Sequence, residues 1–342
     1  MPTAEIKNVL IVGAGGFIGG FIANESLRRG YKTWCGLRQS TSRRFLTDTS
    51  LEFVVLDYAS PQAMADVLLQ AGVRWDWIVY NLGATKVSNY MDFNVINCDY
   101  LRNFLQALQM SGLMPDRFIY MSSLSALGPC DEKDYSPYTA GMIPFPNTRY
   151  GVSKVKAETI LESTAGLDWI VLRPTGVYGP NDGDYRMMIQ CIDRHLDFGI
   201  GFRRQMLTFI YVEDLARAIF DALANASPRS KFLISEDRAY TARQVTRIIS
   251  KALGRKFVLP VRLPLWMARA VCFVSEKWGI MRMKPATLNT DKYRIMAQRN
   301  WNVDIESSRK GFGFNPQVSL EEGMRRTVAD YRASVKKSSQ KL

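Results

Sequence analysis

Val9-Leu10-Ile11-Val12-Gly13-Ala14-Gly15-Gly16-Phe17-Ile18-Gly19 decides how the rest of the chain is read. The apolar run from Asn8 to Val12 suits a buried parallel strand. From Phe17 to Arg29, helical spacing (Ile18, Ile22, Ser26) runs until Gly30 stops it. Between them the glycines fall as Gly-x-x-Gly-x-x-Gly. Gly13 permits the tight turn, Gly16 lets backbone approach a pyrophosphate, and Gly19 lets helix pack close to strand. The unpaired N–H groups at the helix start then face phosphate. In a strand–turn–helix context this arrangement predicts a dinucleotide site.

Working outward, strands are expected at Lys32 to Leu37, Leu51 to Leu56, Asp76 to Tyr80, Arg117 to Met121 and Trp169 to Leu172. Helices are expected at Pro61 to Gln70, Phe93 to Met110 and Thr148 to Thr164. The alternation predicts an α/β fold: a doubly wound parallel sheet of Rossmann type with helices on both faces. After Arg173-Pro174 the pattern loosens. Residues 1–175, rejoined by 206–235, form the expected dinucleotide-binding domain. Residues 176–205 and 236–335 form a smaller, mostly helical substrate lobe, and 336–342 a frayed tail.

Composition removes several alternatives. The chain has 342 residues, of which 47% are apolar, enough for such a domain and lobe. His195 is the only histidine, so multi-histidine metal sites are impossible and no metal is expected. Acid–base chemistry must fall on Tyr, Lys, Asp, Glu or Cys. Cys35, Cys98, Cys130, Cys191 and Cys272 are scattered and read as free thiols. Met1-Pro2-Thr3-Ala4-Glu5 does not look like a secretory leader and no apolar run suits a membrane span, so a cytoplasmic protein is expected. The formal charge is +13; from Glu276 onward 14 Lys or Arg face 7 Asp or Glu. A basic lobe of this kind attracts anions. No aromatic-interleaved basic motif points to nucleic acid.

An NAD site usually carries an acid about 20 residues past the glycines, for the ribose hydroxyls. Here Arg38 stands at that place, followed by Ser42, Arg43 and Arg44. A guanidinium suits a 2′-phosphate, so NADP is expected over NAD. Asp57 is placed to take the adenine amino group, and Leu82-Gly83-Ala84 to permit close approach of the cofactor. Far downstream, Tyr150-Gly151-Val152-Ser153-Lys154 puts a phenol and an ammonium on one helix face. A nearby cation should favour the phenolate and lower the tyrosine pKa. Ser123, closing the preceding strand, is placed to orient a substrate oxygen, with Ser125 a rival.

As an ordered set these residues resemble the extended short-chain dehydrogenase/reductases of the NAD(P)-dependent epimerase/dehydratase superfamily. The set is Gly13-x-x-Gly16-Phe17-Ile18-Gly19, Asn97, Ser122-Ser123, Tyr150-x-x-x-Lys154, Leu172 through Pro180, and Phe209 through Asp214. The resemblance implies Ser123, Tyr150 and Lys154 as catalytic residues. It implies Asn97 as support for the proton path or the local helix, and Pro174 in the nicotinamide pocket. Pro285-Ala286-Thr287-Leu288-Asn289 and Gly313-Phe314-Asn315-Pro316 are similar to tails of the 3β-hydroxysteroid dehydrogenase-like branch. The Arg38 loop is similar to reductases of the dihydroflavonol reductase type.

The implied activity is interconversion of a secondary alcohol and a ketone on an apolar or ring-containing small molecule, with Tyr150 as general acid/base. Nucleotide-sugar epimerisation or dehydration with tightly held NAD(P) is the rival. Gly176 and Leu207-Thr208 stand where many such epimerases carry Asn and Arg-Asp. By the same resemblance a homodimer is expected, pairing the fourth and fifth helices. Met267, Ala270, Val271, Val274 and Trp278 form a helical stripe expected as core or as a pocket lid. Peripheral membrane contact beside Arg269, Lys277, Arg282 and Lys284 is the second reading.

Overall fold

A computed structural model describes residues 6–87, 89–282, 286 and 288–339. Met1 to Glu5, Lys284, Pro285, Thr287 and residues 340–342 therefore lie outside the described residues, including parts of the Pro285–Asn289 signature and of the expected tail. The strands are β1 (Asn8–Val12), β2 (Lys32–Leu37), β3 (Glu52–Val55), β4 (Trp77–Tyr80), β5 (Arg117–Met121), β6 (Trp169–Pro174), β7 (Gly176–Tyr178), β8 (Leu196–Ile200), β9 (Met206–Leu207), β10 (Phe209–Tyr211), β11 (Ser230–Ile234), β12 (Tyr240–Thr241) and β13 (Leu259–Leu263). The helices are α1 (Phe17–Arg28), α2 (Pro61–Gln70), α3 (Met91–Asn94), α4 (Tyr100–Ser111), α5 (Arg149–Glu162), α6 (Asp184–Asp193), α7 (Val212–Asn225), α8 (Ala242–Ala252), α9 (Leu265–Met281), α10 (Thr290–Ala297), α11 (Glu306–Phe312) and α12 (Leu320–Ser339).

Seven strands form one parallel sheet in the order β11-β6-β5-β4-β1-β2-β3. Strand alternation sends Val9 and Ile11 to one face, with α1 and α7, and Leu10 and Val12 to the other, with α2, α4 and α5. Each face buries its own apolar cluster, which is the doubly wound arrangement. The order reverses between β1 and β4, so a crevice opens at their carboxyl ends. A third apolar cluster joins α6, α8 and α12 around Tyr178, Phe209 and Tyr211.

Four features depart from the sequence reading. Ser230–Ile234 forms strand β11 beside β6 in the main sheet, a strand that the sequence reading does not place within the rejoining segment 206–235. The long helix expected at Phe93 to Met110 is interrupted by a π-helical turn, Val95–Asp99. α12 continues through Ser339, where a frayed tail was expected. The α9 stripe corrects the core-or-lid expectation: Met267, Ala270, Val271, Val274 and Trp278 are all exposed, and Ala268, Cys272, Glu276 and Gly279 pack inward. Periodicity identified an apolar face but not what covers it.

Candidate functional site

The crevice is set by backbone that cannot carry side chains. Gly13 has a φ of +85°, and a Cβ there would lie 2.8 Å from the Leu82 nitrogen. A Cβ on Gly19 would meet the Gly13 carbonyl oxygen at 2.4 Å, so glycine lets α1 sit against β1. Gly16 differs. Its nearest neighbour to a Cβ is the Gly13 carbonyl at 3.7 Å, and its φ is −80°. Nothing in the protein requires glycine there; the space belongs to whatever enters the crevice.

A cleft of about 990 Å³ runs from this turn across the ends of the strands. It is lined by Gly13, Gly16, Phe17, Ile18, Arg38, Leu82, Gly83, Ser123, Tyr150, Lys154 and Pro174 among the expected residues. Four expected cofactor residues do not line it. Arg43 lays its guanidinium on the Phe53 ring, 4.1 Å from the centroid. Asp57 turns back to accept the Ala59 N–H, while the neighbouring Tyr58 lines the cleft. Asn97 is fully buried in the π-turn and exchanges two hydrogen bonds with the Ala84 backbone (2.7 and 3.1 Å). It also donates to the Ser153 hydroxyl at 2.8 Å. Asn97 and Ala84 thus brace the Leu82-Gly83 loop against α5 from behind.

α5 is held by its first turn. Thr148 accepts the Gly151 N–H at 3.0 Å. Asp291, at the start of α10, accepts the Arg149 and Tyr150 N–H groups (2.9 and 3.3 Å). Both carboxylate and hydroxyl satisfy otherwise orphaned helix donors. A Cβ on Gly151 would lie 2.3 Å from the Ser125 carbonyl, so glycine also brings α5 onto the serine turn after β5. Tyr150 and Ser123 thereby reach one cleft wall.

Lys154 donates to the Met121 carbonyl (2.7 Å) and the Tyr120 hydroxyl (3.2 Å), with its nitrogen 5.9 Å from the Tyr150 ring centroid. Burial pulls its pKa down to about 8, opposed by the Glu158 carboxylate one helical turn on. Burial pushes the Tyr150 phenol up to about 12, with the Ser123 hydroxyl working the other way. This reverses the direction expected from the sequence. The lysine charge is engaged by β5 oxygens rather than held against the phenol oxygen, so desolvation wins.

Below these groups lies a buried charge network. Arg173 donates to both Glu158 oxygens (2.6 and 3.0 Å), and the Ser122 hydroxyl donates to one at 2.5 Å. Lys231 on β11 reaches the same carboxylate at 3.2 Å. Burial opposes ionisation of Glu158, but these donors together outweigh it and hold its pKa below the usual carboxylate value. Tyr120, Asp291 and Arg173 were not singled out from sequence as site residues; each acts through a contact between distant segments that no local pattern encodes. His195 stands outside the cleft lining, its Nδ1 at 2.8 Å from the Phe257 carbonyl.

The donor set fits a dinucleotide. Beyond the Gly16 cradle, the Tyr58 hydroxyl and Thr175 hydroxyl are buried without a partner, and both residues line the cleft. Such orphans call for a ligand or water. Comparison with known proteins agrees. Residues 9–234 match the model of the NAD dependent epimerase/dehydratase family. The chain is 25% identical to a ceramide reductase of Caulobacter vibrioides, over 98% of this chain and 97% of that one. It is 27% identical to a 2-alkyl-3-oxoalkanoate reductase of Stenotrophomonas maltophilia, over 95% and 99%. In fold it is similar to the UDP-glucose 4-epimerase of Thermotoga maritima, with a TM-score of 0.75 and 21% identity over 96% and 99% of the chains. With its glycine turn, its Tyr150/Lys154 helix and this family match over most of its length, the chain belongs to the NAD-dependent epimerase/dehydratase family of extended short-chain dehydrogenase/reductases, as an NAD(P)-dependent oxidoreductase.

Proposed function

We propose that this enzyme interconverts a secondary alcohol and a ketone on an uncharged, apolar or ring-containing small molecule, with NADP as cofactor. The observation that carries the reading is the charge at the far end of the cleft. Asp182, Asp184 and Asp197 line it, against Arg203 and Arg262. Arg262 is already tied to Asp197 at 2.5 Å. Asp184 is likewise paired with Lys86, so a diphosphate would find only Arg203 there, opposed by Asp182. The space is also filled. A Cβ on Gly176 would fall 2.0 Å from the Tyr185 hydroxyl, so Tyr185 occupies the room where many sugar-nucleotide enzymes place Asn. Phe198, Ile200, Leu207, Met296 and Trp301 complete an apolar lining. The names of the reductase relatives point the same way.

The cofactor, when bound, supplies or takes up hydride at its nicotinamide ring. This chain's residues do the rest. Tyr150 gives its phenol proton to the carbonyl oxygen in reduction and takes it back in oxidation. Ser123 hydrogen-bonds that oxygen and fixes its distance from the phenol. Lys154 keeps a positive charge beside both, and Pro174 closes the wall behind the ring. Net NADPH oxidation across a panel of apolar ketones tests the reading. Retained cofactor without net turnover, together with conversion of a nucleotide sugar, would favour the epimerase. The α4–α5 homodimer remains a separate proposal that light scattering tests.

Arg38 is the residue expected to choose the cofactor. It lines the cleft at the end of β2, and no carboxylate is bound to its guanidinium among the described residues. Hydrogen bonds to charged groups contribute about 1.5–3 kcal/mol. Arg38→Ala should therefore raise KM for NADPH by roughly 10- to 100-fold and leave KM for NADH nearly unchanged. Equal effects on both would remove the 2′-phosphate assignment. Gly16→Ala makes the complementary test. The fold accepts the methyl, so the melting temperature should hold while NADPH affinity falls at least about tenfold. Fluorescence titration reads it, and an unchanged Kd would take Gly16 out of the phosphate cradle.

A further inference from the structure

α9 buries its small and polar side and turns its large apolar side to solvent. Trp266 is 72% exposed, Val274 64% and Met281 77%; Phe273 and Trp278 are more than half exposed. Isolated exposed apolar residues are ordinary, but a contiguous helical face of them marks an interaction surface. Its charge says with what. Arg269 and Lys277 lie on the exposed side and Arg282 follows at the end. The one acid of the helix, Glu276, is buried and committed to the Thr290 N–H at 2.6 Å and to Arg149. The Lys277 ammonium stands 5.6 Å from the Phe273 ring centroid and the Arg282 guanidinium 4.6 Å from that of Trp278, so both cations sit over exposed rings of the same face. A groove of about 610 Å³ between α9 and α10 combines the same elements: Arg149, Arg269 and Lys277 with Trp266, Phe273 and Tyr293.

A second copy of the chain fits this face poorly. A two-fold contact would set Arg269, Lys277 and Arg282 against the same cations, with no exposed acid on α9 to answer them. An anionic lipid surface fits both properties. We propose that the α9 face docks on an anionic phospholipid bilayer. Trp266, Phe273, Val274, Trp278 and Met281 enter the headgroup–acyl boundary, and Arg269, Lys277 and Arg282 meet lipid phosphates. No helix among the described residues is long and apolar enough to cross a membrane, so the contact is interfacial.

The place of α9 gives the docking a use. Its first residue, Leu265, packs on Gly201, where a Cβ would lie 3.2 Å from the leucine. Phe202 beside it is 75% exposed, and Gly201 and Arg262 line the substrate end of the cleft. An apolar substrate can pass from bilayer to cleft along this rim. That last step rests on the proposed ketone chemistry; the docking does not.

The test is flotation of the full chain with vesicles of phosphatidylcholine, alone or mixed with phosphatidylglycerol. The wild type should float with the mixed vesicles, and high salt should weaken this. Trp266→Ser/Phe273→Ser/Trp278→Ser should lower the partition coefficient at least about tenfold at an unchanged melting temperature. Arg269→Glu/Lys277→Glu, whose side chains are solvent-exposed, should abolish the preference for phosphatidylglycerol, and serves if the triple variant does not fold. Wild-type protein that stays unbound, variants that both float like wild type, or a wild-type dimer that the triple variant splits without any lipid binding would each overturn the proposal. Because flotation needs no turnover, failure of the oxidoreductase reading would appear separately, in the ketone assay.

Discussion

Tyr150→Phe should lower kcat for NADPH-dependent ketone reduction by about 10²- to 10⁴-fold, the range that a positioned acid–base group contributes. NADPH affinity should stay within error, because in the proposed mechanism the lost hydroxyl serves the substrate oxygen, and the ring that contacts Phe93 remains. Steady-state rates and cofactor titration on one preparation separate the two. Turnover that survives the change would transfer proton donation to Ser123 or to water. The pH profile adds a second readout. With its phenol held up at about 12, Tyr150 keeps its proton through the neutral range, so reduction should show no loss there from the tyrosine. Lys154, held down at about 8, loses its ammonium as pH rises past that value. Reduction should therefore fall on the alkaline side near pH 8 while Tyr150 is still protonated. Lys154→Arg should move that limb beyond the measurable range, because a guanidinium does not discharge. A wild-type profile without the limb would take the lysine charge out of the rate.

What the sequence made legible follows from how local each signal is. The glycine turn, the alternation from β1 to β6 and the Tyr150-x-x-x-Lys154 spacing are each contained in a few neighbouring residues, and each has a single geometric meaning. β11 is different: Ser230–Ile234 becomes a strand because β6 offers it a ladder, and its register with Ile170 to Pro174 is a contact between segments about 60 residues apart. The pairs β7 with β10 and β8 with β13 are of the same kind. Asp291 at the head of α5 and Tyr120 under Lys154 could be placed on their own elements but not matched to partners. The direction of the Tyr150 pKa is hidden from the sequence for a related reason. Spacing puts a cation near the phenol, but only the fold shows that β5 oxygens hold that cation and that Lys154 is buried, with Tyr150 half-buried at the cleft wall. α9 marks another limit: periodicity locates its apolar stripe but not the direction the stripe faces, since the same spacing serves a core and an interface.

The network beneath the site should dominate stability. Arg173→Met removes both hydrogen bonds that the guanidinium gives Glu158 and leaves a carboxylate buried with only Ser122 and Lys231. Stripping one partner from a buried pair costs about 3–5 kcal/mol. Urea unfolding at neutral pH should show a loss of that order in ΔG with little change in slope. The pH dependence gives the sign. Glu158 titrates below its usual value in the wild type, so its contribution is full above the unfolded pKa and disappears as pH falls through the lower, folded one. In the variant, burial is opposed by fewer donors, and the carboxyl should protonate at higher pH. The gap between the two proteins should thus be widest at neutral pH and narrow in acid, where Glu158 is neutral in both. A gap independent of pH would mean that Arg173 acts through packing alone.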